Sequence, residues 1–113
     1  MTTIPYDQFS AVEMRVGRIV AVQDFPEARK PAYKLTIDFG AEIGVKQSSA
    51  QITRLYAKEE LLGRLVIAVV NFAPKRIGPY VSECLTLGVG DANGDVALLS
   101  LDRPNVPLGA NVY

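Results

Sequence analysis

The chain has 113 residues, 49% apolar and 21% charged, with twelve Lys/Arg balanced by twelve Asp/Glu. That composition excludes disorder and suits a single globular domain over residues 1–113, burying about two-thirds of its unfolded surface. With no histidine and one cysteine, Cys84, an internal disulfide, Ser-His and Cys-His nucleophile pairs and nearly every zinc site are excluded.

No apolar run approaches the roughly 18 residues needed to span a bilayer. The opening "MTTIPYDQF" lacks both a basic start and an apolar signal core. The expectation is a cytoplasmic protein without membrane insertion. A short turn or helical piece is predicted around Tyr6 to Ala11, then a long first strand running to Pro26, with Gly17 marking a bend or bulge. "PEARKP" is a loop bracketed by two prolines. In "YKLTIDF", Tyr33, Leu35, Ile37 and Phe39 alternate with Lys34, Thr36 and Asp38, the clearest period of two in the chain. Gly40 ends that strand, and "EIGVKQS" supplies a third, shorter one.

"SAQITRLYAKEELLG" then breaks the pattern. Ile52, Leu55 and Tyr56 fall on one helical face, Ser48 or Ser49 can cap the start, and Gly63 stops the segment. "RLVIAVVNF" is β-branched and continuous, so Leu65 to Val70 reads as a strand buried on both faces. A Pro-rich loop follows, then the strand "VSECLTLG", a turn at "GDANGD", the strand "VALLSL" and a tail ending on apolar residues. Three strands, one helix, then two or three strands is the order of an all-β, five-stranded OB-type barrel. Its one short helix lies between strands three and four, and short terminal segments complete it.

The neutral total hides an asymmetry. Between Arg29 and Arg76 nine Lys/Arg stand against four acids. Basic excess of this kind steers anionic partners. Lys75 and Arg76 sit on the loop "APKRIGPY", stiffened by Pro74 and Pro79. They are either a solvated hairpin tip or a grip for phosphates or for the carboxylates and carbonyls of a peptide. Lys34 and Lys46 belong on the exposed barrel face if the second and third strands pair as a hairpin; otherwise they are ordinary surface lysines. Ser48, Ser49 and Gln51 are capping or turn residues, with donation to an extended ligand backbone as the other reading. Asn71 and Ser82 tie down the backbone of the loop between them, and Glu83 faces a cationic peptide or pairs with Arg76. Of the aromatics, Tyr33, Phe39 and Phe72 are predicted in the core, leaving Tyr80 and Tyr56 as exposed stacking candidates. So few platforms fit single-strand binding poorly, since each is worth about 1–3 kcal/mol. Cys84, inside "CLTLG", reads as a small buried hydrophobe. No Gly-Lys-Ser/Thr phosphate loop is present, so no nucleotide cofactor is expected, and nothing visible supports an enzyme.

"VEMRVGRIVAV" and "EELLGRLVIAVVNFAPKRIGPYVSECLTLG" resemble the tRNA-binding domains appended to methionyl- and phenylalanyl-tRNA synthetases. "FPEARKPAYKLTIDFGAEIGVKQSSAQIT" and "VIAVVNFAPKRI" are more similar still to the CsaA-type protein-secretion chaperones, a free-standing branch of that family. Where the tRNA-binding pattern continues Gly-Met after the serine and its neighbour, this chain has Cys84-Leu85. That departure and the turn "KQSSAQI" both match the chaperone branch. The resemblance implies an OB fold and a homodimer built through the N- and C-terminal segments. It also implies binding of unfolded preproteins or peptides, or alternatively of tRNA, and it places Asn71 and Ser82 along the binding cleft.

Overall fold

A computed structural model describes residues 1–113. In chain order the elements are α1 (Tyr6–Ser10), β1 (Met14–Asp24), β2 (Tyr33–Asp38), α2 (Gly40–Ile43), β3 (Val45–Ala50), α3 (Lys58–Leu61), β4 (Leu65–Val69), β5 (Lys75–Ile77), β6 (Tyr80–Ser82), β7 (Leu85–Thr86), β8 (Gly88–Gly90) and β9 (Val96–Leu98). An antiparallel sheet runs β3-β2-β1-β4-β7 and curls into a nearly closed barrel, flanked by the hairpins β5–β6 and β8–β9. This is the predicted all-β, OB-type architecture.

β1 is long because it serves two neighbours. Met14 to Arg18 pair with β4, and Arg18 to Asp24 pair with β2, with a register shift between Ile19 and Ala21. The irregularity therefore falls three residues after Gly17, which itself pairs regularly with Val66. Gly17 answers a different need. A Cβ there would lie 2.5 Å from Ile37 Cγ2 and 2.7 Å from the Phe39 ring, so its bare backbone is what lets β2 pack across β1.

The alternation of β2 is realised in full: Tyr33, Leu35 and Ile37 are buried, while Lys34, Thr36 and Asp38 are half-buried. β4 is buried along both faces from Val66 to Val69. The core gathers Ile19, Leu35, Ile37, Phe39, Leu61 and Val66, all fully buried. Each such side chain contributes about 1.5–3 kcal/mol.

The expected helix over "SAQITRLYAKEELLG" shrinks to the single turn of α3. Residues 45–50 are strand, Leu55 is 40% exposed, and of the proposed helical face only Ile52 is fully buried. Ser48 and Ser49 lie in β3 and cap nothing; the Glu60 carboxylate instead accepts from Ala57 N–H (2.7 Å). The strand expected over "VSECLTLG" breaks between β6 and β7, because Ser82 to Cys84 turn toward β3 and close the barrel.

Candidate functional site

The site is built on a second, smaller core. Phe25, Ala32 and Tyr80 are buried together, with Ala28 and Ile77 packed against them. The Phe25 and Tyr80 rings meet edge-on at 5.2 Å, and Tyr80 Oη donates to Leu35 O. Lys34 Nζ lies 5.0 Å and 5.4 Å from the two ring centroids, a cation shared by both rings. Loop 25–32 and the β5–β6 hairpin are thereby joined, one on each side of a cleft. Burial pushes the Tyr80 phenol up to about 12.

Between those walls lies an open groove of about 990 Å³. Arg29 and Lys30 line one wall and Lys75 and Arg76 the other, with Ser49 of β3 and Gln51 just after it also on the lining. Glu27 is the one carboxylate there. The ion pairs of the chain are Arg15–Glu13, Arg54–Asp95 and Lys58–Asp24, so none of the four groove cations is neutralised by a salt bridge. All four are exposed. A concave wall of like charge concentrates field and draws anions.

A second, smaller cavity of about 180 Å³ adjoins the first at Lys75, which lines both. Phe72, Ala73, Cys84 and Leu85 make it apolar, and Ser82 and Glu83 complete it. Residues 82–84 form its floor where they close the barrel against β3 with two side-chain bonds and one backbone bond. Ser82 Oγ accepts from Ser49 N–H (3.1 Å), Glu83 Oε1 accepts from Gln47 N–H (3.0 Å), and Glu83 N–H donates to Gln47 O (2.8 Å). Burial pushes the Cys84 thiol up to about 11, so it stays neutral at physiological pH and acts as lining rather than nucleophile.

The structure thus brings Lys34, Lys75, Arg76, Tyr80, Ser82 and Glu83 to one side of the barrel. Tyr80 is 9% exposed and supports the groove instead of offering a stacking face, whereas Phe72, predicted in the core, is 54% exposed at the rim of the smaller cavity. Glu83 is bonded to Gln47 and makes no ion pair with Arg76. Lys46 pairs with Ile37 and Lys34 with Ser49, so strand alternation sends the two lysines to opposite faces of the sheet. Ser48 is fully buried, its hydroxyl 2.8 Å from that of Thr86 across the barrel seam. Asn71 fastens the start of β1, accepting from Glu13 N–H and donating to Ala11 O. Arg29 and Lys30 were not among the sequence candidates. Their signal was present in the basic excess and in the proline brackets of their loop, but not the hairpin that faces them.

Residues 14–111 match the family model described as "Putative tRNA binding domain". Among solved structures, the CsaA chaperone protein of Picrophilus torridus is 50% identical with a TM-score of 0.91, covering 98% of this chain and 100% of its own. Chaperone CsaA of Bacillus anthracis is 44% identical with a TM-score of 0.90, covering 99% and 100%. The methionine–tRNA ligase of Pyrococcus furiosus is 38% identical over 112 residues, and this chain spans 15% of that protein's length. The chain belongs to the tRNA-binding domain family.

Proposed function

We propose that this chain is a secretion-related chaperone that holds unfolded or precursor polypeptide segments without nucleotide. One observation carries the reading: an apolar cavity and an open cationic groove meet at Lys75. An extended polypeptide has apolar side chains for the first and carbonyls and carboxylates for the second. The end-to-end match to two structures named CsaA chaperone supports it. Residues 1–113 act as one binding unit, by passive contact and with no bond made or broken. Holding needs a ready-made surface, and the aromatic pair under the groove lowers the ordering cost of binding.

A second reading, binding of structured RNA such as tRNA, is favoured by the four cations without ion-pair partners and by the family match. Phe72 is the one ring exposed beside the groove, so single-strand stacking has little to work with. We also infer a homodimer through the terminal segments. Ile4, Tyr6 and Tyr113 stand 63%, 69% and 99% exposed, and residues 109–112 are hydrogen-bonded along the start of β1. Sedimentation equilibrium should then give twice the chain mass.

The deciding experiment follows light scattering of a denatured client diluted into nucleotide-free buffer. Suppression of aggregation at stoichiometric chain is the expected result, weakened in Lys75→Ala/Arg76→Ala. No suppression, together with no peptide binding in titration, overturns the reading. For structured RNA, phosphate contacts from four cations give a slope of log affinity against log salt of about −3.6. Undetectable tRNA binding at low salt removes that alternative.

A further inference from the structure

We infer that this site selects its clients by charge: it takes polypeptide segments in which an apolar side chain is flanked by carboxylates, and rejects those flanked by lysine or arginine. The inference rests on the polypeptide-holding reading and adds the chemistry of the client. The smaller cavity, about 180 Å³ and lined by Phe72, Ala73 and Leu85, has room for one apolar side chain; an engineered cavity of about 150 Å³ holds benzene. A chain anchored there leads past Lys75 into the larger groove. In that groove it meets four cations. Glu27 is the single carboxylate on the groove lining, and Glu83, whose Oε1 accepts from Gln47 N–H, is the single carboxylate of the smaller cavity, so four cations stand against two acids and the balance stays positive. Like charges brought against such a wall are repelled, and repulsion discriminates between ligands as effectively as attraction. The apolar cavity thus supplies an anchor common to many sequences, and the groove decides which flanks are admitted.

Fluorescence anisotropy tests this with three labelled peptides of about twelve residues, an extended reach of about 40 Å. All share a Phe-Leu centre; the flanks are glutamate, glutamine or lysine. At about 20 mM salt the glutamate peptide is expected to bind about tenfold more tightly than the glutamine peptide, with the lysine peptide weakest, and the spread should narrow as screening grows. Arg29→Glu/Lys30→Glu, at two exposed positions, should invert the order. Phe72→Ala, also exposed, should weaken all three alike. Equal affinities, or the lysine peptide binding best, overturn the charge rule while leaving the holding function standing. Binding of none removes both. Bulk tRNA is the fourth probe: if it binds and the glutamate peptide does not, the groove is a nucleic-acid site and the inference falls.

Discussion

Replacing Gly17 by alanine adds one methyl group to the centre of β1, and the structure sets its cost. The new Cβ would stand 2.5 Å from Ile37 Cγ2 and 2.7 and 2.9 Å from two atoms of the Phe39 ring. Both neighbours are completely buried, so neither can swing into solvent, and β2 must move away from β1. Overpacking of this kind costs about 1–3 kcal/mol. Against it, alanine restricts the unfolded chain more than glycine does and returns about 0.4–1 kcal/mol. The net expectation is a loss of about 1–2 kcal/mol, or about 5–10 °C in melting temperature for a chain of this size. The chain has no tryptophan, so urea and thermal unfolding are best followed by circular dichroism. A melting temperature that stays level or rises would refute the claim that Gly17 is required by the packing of Phe39 across β1.

Two further outcomes follow from the barrel seam. The folded Cys84 keeps its proton up to about pH 11, whereas the ordinary thiol releases it near 9. Stability is therefore full below about pH 9 and falls by up to about 3 kcal/mol as pH rises to 11; Cys84→Ala should flatten the pH 9–10 part of that fall in denaturant titrations, with Tyr80 still contributing above pH 10. Glu83→Ala leaves Gln47 N–H without its acceptor. A loss of about 1 kcal/mol should accompany faster amide exchange at Gln47, with exchange in β4 unchanged.

Much of this was legible in the sequence. The alternation from Tyr33 to Phe39 and the unbroken β-branched run after Leu65 fixed β2 and β4, because each pattern reflects one strand's own burial. The misreadings came where distant segments decide. Ile52, Leu55 and Tyr56 have helical spacing, yet the chain reaches Ala50 as strand because β3 pairs with β2 along six residues. Tyr80 follows a Gly-Pro turn and reads as exposed, until Phe25, 55 positions earlier, comes to lie against its ring. Phe72 ends an apolar run and reads as core, but it stands past the end of β4, beyond the last core layer. The groove shows the same limit. Its two pairs of cations were each visible, but their facing arrangement depends on a contact between loop 25–32 and the β5–β6 hairpin that no local pattern encodes.

The central claim is that ligand occupies the surface between loop 25–32 and the β5–β6 hairpin and reaches the cavity beside Lys75. Amide NMR of the isotope-labelled chain, titrated with an unfolded client segment, tests it most directly. The expected result is shifts concentrated at Ala28 to Lys30, Ser49 to Gln51, Phe72 to Gly78 and Ser82 to Leu85. Shifts confined to the β8–β9 hairpin or to the far side of β1, with the groove amides unmoved, would contradict it.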